Sequence, residues 1–243
     1  MKILGIIPAR FASTRFPGKP LIEINGKTMI QRVYEQAKKA NSLAEVIVAT
    51  DDTKIFDHIK SFGGNVVMTL TSHESGTDRC AEVLKKSEAN FDVVLNIQGD
   101  EPFINPEQIN QLCACFNDEK TDIATLVKEI KTEEELFNPN RPKVYFNSEN
   151  FALMFSRNVI PELPNIKKED LIKEHTFYKH IGIYGYRSDV LTQISKLPQS
   201  PLEKKERLEQ LRWLENDYAI KIAPTEYEAV AIDTPEDLEK IIF

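Results

Sequence analysis

Two arginines and a lysine, Arg10, Arg15 and Lys19, fall within ten residues of one another in Pro8-Ala-Arg-Phe-Ala-Ser-Thr-Arg-Phe-Pro-Gly-Lys-Pro20. The chemistry these residue types support is the binding of a polyanion. Arginine makes planar, bidentate phosphate contacts, and lysine supplies a point charge that can follow a leaving pyrophosphate. A triphosphate carries enough charge to occupy all three. The competing reading is a solvated basic loop. The loop directly follows an apolar, strand-like segment, and open α/β sheets bind ligands beyond the carboxyl ends of their strands, which favours the anion site. Neither a dinucleotide fingerprint nor a P-loop is present. There is no G-x-G-x-x-G, Gly18-Lys19 has Ser13 and Pro20 at the flanking positions, and Gly26-Lys27-Thr28 has Leu21 as its leading residue.

A second group of residues suits a hard cation. Asn96-Ile-Gln-Gly-Asp-Glu-Pro102 places Asp100 and Glu101 just past a strongly apolar strand, with Gly99 permitting close backbone approach. Magnesium takes one or two carboxylates together with phosphate oxygens and water, so Asp100 beside a triphosphate loop is a candidate ligand. Asp100 as a turn-former and Glu101 as a surface charge is the alternative, and the residues alone leave the two readings level. Ala231-Ile-Asp-Thr-Pro235 repeats the arrangement late in the chain. Thr234 fits the helix-capping position there because Pro235 then opens the helix, which leaves Asp233 without an evident structural duty. Two strand-end aspartates could share one or two Mg²⁺ ions.

The elements that must hold these groups follow from hydrophobic spacing. Lys2–Pro8, Glu45–Thr50, Val66–Met68 and Phe91–Gln98 read as buried strands. Between them, Met29, Ile30, Val33, Tyr34 and Ala37 recur at helical spacing behind a Thr28 cap. Asp51-Asp52-Thr53 opens a second helix, Thr77–Lys86 a third, and Asn105-Pro106 a fourth. Such alternation predicts a parallel sheet with right-handed crossovers. Beyond about Glu129 the rhythm breaks into strand-like pieces at Lys143–Phe146, Phe151–Phe155 and His180–Tyr186 with proline-rich connections. A charged amphipathic helix is expected over Leu202–Leu214, strands at Lys221–Ala223 and Ala229–Ile232, and a last helix behind Thr234. The expected architecture is a single α/β three-layer domain over residues 1–243 with a β-rich insertion at about 130–200.

Composition limits the partners. The net charge is −7, from 31 basic and 38 acidic residues, and no basic face is evident, which argues against nucleic acid and for a small anionic ligand at the one basic cluster. No apolar run approaches the length of a membrane span. The segment opening at Met1 enters a strand without signal-peptide architecture, and the three cysteines, Cys80, Cys113 and Cys115, form no paired framework, so a reducing, cytoplasmic setting is expected. His73-Glu74 lacks the second histidine of a zinc-protease motif, and His175 and His180 have no cysteine partners. His58 reads as a surface residue, Trp213 as core or dimer contact, and Lys167-Lys168 and Lys204-Lys205 as solvated surface.

Five segments, taken together, resemble the CMP-KDO synthetase family, the 3-deoxy-manno-octulosonate (KDO) cytidylyltransferases. They are Ile7–Leu21, Asn96–Pro102, His180-Ile-Gly-Ile-Tyr-Gly-Tyr186, Leu208-Glu-Gln-Leu-Arg212 and Ile232–Asp237. The first loop alone indicates the wider nucleotidyltransferase superfamily; the Tyr-Gly-Tyr strand and the Leu-Glu-Gln-Leu-Arg helix narrow it. The resemblance implies a Rossmann-like nucleotidyltransferase fold and a homodimer in which the insertion contributes to the sugar site and the dimer interface. It implies transfer of CMP from CTP to KDO, with Mg²⁺, for lipopolysaccharide synthesis. By position it puts Arg10, Arg15 and Lys19 on the triphosphate as catalytic cations, and Asp100 and Asp233 on the metal. Pro8, Ala9, Thr50, Ser75, Gly76 and Gln98 would lie near the nucleotide. His180, Tyr184, Glu209 and Gln210 would face the sugar, with Arg157 a candidate for its carboxylate. Glu209-Gln210 could equally be an exposed helix face on residue pattern alone. A cytidylyltransferase for an 8-amino analogue or a sialic acid, or a catalytically silent sugar-nucleotide sensor, are the rival readings. Retention of Arg15, Lys19, Asp100 and Asp233 together argues against the last.

Overall fold

Along β1 (Ile3–Ala9), Ile3 and Ile7 pack into one hydrophobic cluster and Leu4 and Ile6 into another. A strand buried on both faces is the centre of a three-layer sandwich, and its near-continuous apolar run is the sequence signature of that position. The structure, a computed structural model, describes residues 1–12, 16–228, 231–232 and 234–239.

After β1 come β2 (Glu23–Ile24), β3 (Lys27–Thr28), α1 (Met29–Ala37), β4 (Glu45–Thr50), α2 (Thr53–Ser61), β5 (Val66–Met68), α3 (Gly76–Lys86), β6 (Val93–Asn96) and α4 (Pro106–Ala114). The second half adds β7 (Ile123–Glu129), α5 (Glu133–Phe137), β8 (Lys143–Phe146), β9 (Ala152–Ser156), α6 (Leu171–Glu174), β10 (Tyr178–Arg187), α7 (Ser188–Ile194), α8 (Pro201–Glu206), α9 (Gln210–Leu214), β11 (Ile220–Pro224) and α10 (Pro235–Glu239). Among the described residues the main sheet runs β11-β7-β10-β6-β1-β4-β5, with β8 paired to β10 and β9 to β8. β1 is parallel to β4 and β6, and β11 to β7; β10 runs antiparallel to β6, β7 and β8. Helices α1, α2 and α4 cover one face, and α3, α7 and α9 the other. This is a Rossmann-like three-layer α/β architecture, mostly parallel, with an antiparallel addition.

The caps form as the sequence directs. Thr28 accepts from Gln31 N–H and Asp52 from Lys54 and Ile55 N–H; Ser75 and Asn105 close capping boxes with Asp78 and Gln108. Thr234 and Asp237 do the same for α10.

Several expectations are corrected. The helix over Leu202–Leu214 is two helices, α8 and α9, broken where Arg207 takes the left-handed conformation with φ 54°. The physical reason lies in α9: Gln210, Leu211, Arg212 and Trp213 are all buried, so the helix is enclosed on every side rather than along one stripe, and the chain must turn inward to reach it. Strand β7 was not anticipated, although Ile-Ala-Thr-Leu-Val is the apolar run of an interior strand. The β2–β3 hairpin turns on Asn25 and Gly26, with φ 49° and 76°, the pair of positive angles a tight hairpin favours. His58 is no bystander on the surface; its Nε2 lies 2.7 Å from the Thr28 hydroxyl and its ring packs edge-on to Phe62. Of the strand expected at Ala229–Ile232, Ala229 and Val230 lie outside the described residues, and Ala231 and Ile232 join no strand.

Candidate active site

The parallel pairing of β1 with β6 sets Ile6 opposite Asn96, so both chains leave the sheet side by side at its carboxyl end. Beyond that edge the two backbones nearly touch: a Cβ on Gly99 would lie 2.7 Å from the Pro8 carbonyl oxygen. Glycine is required there by contact, and the approach brings the two candidate loops together. Lys19, 81 residues before Asp100, places its Nζ 2.8 Å from Asp100 Oδ2 in a largely sequestered ion pair. The Asp100 carbonyl also accepts from Ile232 N–H at 3.0 Å, drawing the late segment to the same edge. Asp233 and Arg15 lie outside the described residues.

Glu101, a surface charge in the alternative reading of this segment, is 5% exposed. Burial, with the Asp100 charge adding to it, pushes its carboxyl up to about 7. Two adjacent carboxyl groups, one buried with no cation paired to it among the described residues, form an environment that a divalent cation would relieve. On that observation the donors fit magnesium. Among the described residues alone, no group of three or more metal-ligating side chains is assembled.

The nucleotide candidates cluster around this edge. Thr50 ends β4, fully buried, its hydroxyl accepting from Asp52 N–H. Ser75 caps α3, and a Cβ on Gly76 would lie 3.1 Å from Asn96 Nδ2 and 3.5 Å from Pro8 Cγ, so the helix N-terminus abuts the ends of β1 and β6. Helix N-termini present unpaired N–H groups and favour anions. Arg10 stands among Arg79, Asp51 and Asp78; burial, then the Arg79 charge, lowers its pKa from the usual arginine value. Arg79 is fully buried, bonded to Asp51 at 2.8 Å and to the Thr69 hydroxyl.

The sugar candidates sit along β10 and α9. Gln98 Nε2 donates to Gly182 O at 2.7 Å, which ties the β6 exit to the first half of β10. His180 Nε2 lies 3.0 Å from the Thr125 hydroxyl, and burial among Phe155 and Tyr184 pushes the ring down to about 3, so it is neutral at physiological pH. Tyr184 and Tyr186 both meet Trp213 edge-on. Tyr184 Oη and Gln210 Nε2 are buried and have no hydrogen-bond partner among the described residues. Such atoms normally cost roughly 1–3 kcal/mol each unless something satisfies them, which is a mark of a binding site. Glu209 is half-buried, accepting from Thr77 at 3.0 Å and from Arg212 at 2.8 Å. Arg157 is otherwise engaged: its guanidinium donates to the carbonyls of Glu206, Pro139 and Arg207, and so braces the α8 terminus. Thr77, Arg79 and Thr125 were assigned no role from sequence, and Arg212 figured only as part of the Leu208–Arg212 segment, because each acts through another side chain. A groove of about 820 Å³ between α3 and α7 contains none of the predicted site residues.

Comparison with known proteins agrees with this geometry. A family profile described as cytidylyltransferase matches residues 4–222. The chain is 57% identical over its whole length to the 3-deoxy-manno-octulosonate cytidylyltransferase of Parabacteroides distasonis, covering 97% of that protein. It is 57% identical to the Bacteroides thetaiotaomicron protein of the same name, with 98% and 96% of the two chains covered. A solved structure of CMP:2-keto-3-deoxy-manno-octonic acid synthetase complexed with CTP superposes with a TM-score of 0.92 at 42% identity, covering 100% of this chain and 97% of that one. A 4-diphosphocytidyl-2C-methyl-D-erythritol synthase from Anaerococcus prevotii, 13% identical with a TM-score of 0.65 over 99% and 97% of the chains, shares the fold alone. With its sheet, its strand-end loops and relatives of full length in accord, the chain belongs to the cytidylyltransferase family, among the 3-deoxy-manno-octulosonate cytidylyltransferases.

Proposed function

We propose that the protein joins CMP from CTP to KDO, giving CMP-KDO and pyrophosphate as a precursor step for lipopolysaccharide synthesis. The observation that carries this reading is the Lys19–Asp100 pair at the shared carboxyl edge of β1 and β6, beside the capped N-terminus of α3. The relatives' names and the CTP bound in the solved neighbour support the same chemistry.

The anomeric hydroxyl of the sugar attacks the α-phosphorus in line, and pyrophosphate leaves. Such chemistry needs positioning and charge neutralisation more than a covalent intermediate. Arg10, Arg15 and Lys19 hold the triphosphate, and the N–H groups at Ser75-Gly76 add oriented donors. Lys19 moves from Asp100 to the phosphates as charge grows on the leaving group. Pro8, Ala9, Thr50 and Gln98 shape the nucleotide pocket. His180, Tyr184, Glu209 and Gln210 orient the sugar; a neutral His180 acts by hydrogen bonding, and its low pKa disfavours a general-acid role. Asp100 and Asp233 would hold Mg²⁺, which when bound neutralises phosphate charge and orients the attacking oxygen.

A homodimer fits the exposed apolar side chains Tyr145, Leu153 and Met154 on the β8–β9 hairpin, inside the insertion. No helix among the described residues is long and apolar enough to cross a membrane, and a cytoplasmic location accords with the unpaired thiols of Cys80, Cys113 and Cys115. The test is pyrophosphate release from each nucleoside triphosphate against KDO, its 8-amino analogue and a sialic acid. CTP with KDO is expected to be the preferred pair. Equal or better turnover with a sialic acid would overturn the substrate, and no turnover with any pair would overturn the activity.

A further inference from the structure

Arg212 is 7% exposed and divides its guanidinium among three partners on three parts of the chain. NH2 donates to Glu209 Oε1 at 2.8 Å, NH1 donates to the Leu197 carbonyl at 2.8 Å, and Nε lies 3.3 Å from Glu203 Oε2. Glu203 is itself pinned, because the same carboxylate oxygen accepts from Ser200 N–H in the capping box that opens α8. The guanidinium plane is thus fixed from behind. What it fixes in front is Glu209, whose other oxygen accepts from Thr77 in the first turn of α3. Each oxygen of Glu209 has its own anchor, one on the sugar helix α9 and one on the helix whose N-terminus faces the nucleotide.

Arg212 Nε has no hydrogen-bond partner among the described residues, so Glu203 offsets its charge without satisfying that N–H, and a purely architectural arginine would need only this ion pair and the Leu197 carbonyl. The link to Glu209 does something more: it orients a carboxylate that stays 27% exposed, next to the buried, unpartnered Gln210 Nε2. We propose that Arg212 is a positioning residue for sugar recognition, holding the Glu209 carboxylate ionised and aimed between α9 and the N-terminus of α3. The proposal rests on the reading of Glu209 as a sugar contact.

The groups facing Glu209 set the sign of the test. Burial raises its pKa above the usual carboxylate value, Arg212 lowers it, and so do the hydroxyls of Thr77 and Ser75; Asp78 on α3 raises it again. The phenols of Tyr184 and Tyr186 on β10 and the Cys80 thiol also face it, all three held protonated by burial. Removing Arg212 takes away the only cation among these groups. The folded-state pKa of Glu209 then climbs further, so its carboxylate is lost at a higher pH than in the wild type as pH falls and is regained as pH rises.

The experiment measures KM for KDO and calorimetric CTP affinity at pH 6.5 to 8.5 in the wild type, Arg212→Met, Arg212→Lys and the double variant Arg212→Met/Glu209→Gln. The wild-type KM should change little across this range. In Arg212→Met, KM should be raised most at the lowest pH and should fall as pH rises, with CTP affinity unchanged. Arg212→Lys should restore part of the affinity, and the double variant should be flat with pH. A KM raised equally at every pH, an unchanged KM, or a pH dependence that survives Glu209→Gln would each reduce Arg212 to a packing role and overturn the proposal. If Arg212→Met fails to melt cooperatively, Arg212→Lys carries the same comparison with a shallower slope. Carbon-13 NMR of carboxyl-labelled glutamate, assigned through Glu209→Gln, reads the Glu209 titration without any turnover. It separates failure of this proposal from failure of the KDO assignment.

Discussion

Replacing Gly99 by alanine tests whether the meeting of the β1 and β6 exits builds the active site. The added Cβ would stand 2.7 Å from the Pro8 carbonyl oxygen and 3.6 Å from Ile7 Cγ2. The close partner is backbone, in a strand fixed by ladder bonds up to Ile97 N–H to Ile6 O at 2.8 Å, so no rotamer change relieves it. Reaching an ordinary contact requires the strand exits to part by roughly half an ångström, in an interior packed as densely as a crystal. Overpacking of this kind costs about 1–3 kcal/mol, of which the alanine recovers roughly 0.4–1 kcal/mol through the unfolded chain. A net loss of about 1–2 kcal/mol lowers Tm by roughly 2–8 °C in a chain of this size. The same displacement separates Lys19 from Asp100 and shifts Gln98, and since a misplacement of about 1 Å can cost on the order of a hundredfold, kcat should fall at least about tenfold. Gly182→Ala is the control, because its Cβ would meet nothing nearer than 4.0 Å and Tm should barely move. Calorimetric melting and pyrophosphate release give both readouts. A Gly99→Ala protein that melts at or above the wild-type temperature and turns over within twofold of it would refute the reasoning.

Asp100→Asn and Asp233→Asn should each remove most turnover at limiting Mg²⁺ while the fold persists, since an amide lacks the charge a hard cation requires; near-normal rates in either would exclude that residue as a ligand. Lys19→Ala should lower kcat on the order of a hundredfold or more, whereas Gln210→Ala should raise KM for KDO and leave calorimetric CTP affinity nearly unchanged. Equal weakening of CTP in both would end the division into nucleotide and sugar halves. His180 titrates near 3 when folded and near 6.5 otherwise, so the unfolded chain takes up the extra proton and stability is lost as pH falls between those values. His180→Asn should therefore show a smaller drop in urea midpoint from pH 7 to pH 4, and an unchanged drop would show that His180 charges freely in the fold.

The parallel half of the fold was legible because each strand there is an apolar run ending at a polar loop, and each helix begins on a cap such as Thr28, Asp52 or Asn105. Legibility failed where tertiary burial overrode local pattern. In α9 four consecutive buried residues include Gln210, which residue pattern alone allowed to be part of an exposed face with Glu209. For Glu101 the residue type left a surface charge as an alternative, and its burial was not legible from the chain. The Asn25-Gly26 hairpin was a missed local signal, overshadowed by its resemblance to a defective phosphate loop. Lys19 and Asp100 came from separate motifs, and their contact follows from the pairing of β1 with β6, which no spacing along the chain reveals.

The charge arrangement explains how an acidic chain can serve two anionic substrates. A net charge of −7 gives no long-range attraction for a triphosphate or an acidic sugar, so recognition depends on cations held locally. Clustered cations repel one another, and here carboxylates separate them: Asp51 takes Arg79 and Asp100 takes Lys19, each at 2.8 Å. Arg10 stands between the charges of Arg79, Asp51 and Asp78 and is the least comfortable of the three, its pKa lowered by burial and by Arg79. An arriving triphosphate relieves that strain at Arg10 and competes with Asp100 for Lys19. Withdrawal of Lys19 would leave the Asp100 carboxylate without this cation, and a divalent cation at the proposed site would offset that charge. If Mg²⁺ binds at Asp100 as proposed, nucleotide and metal would be coupled through Lys19, each strengthening the other.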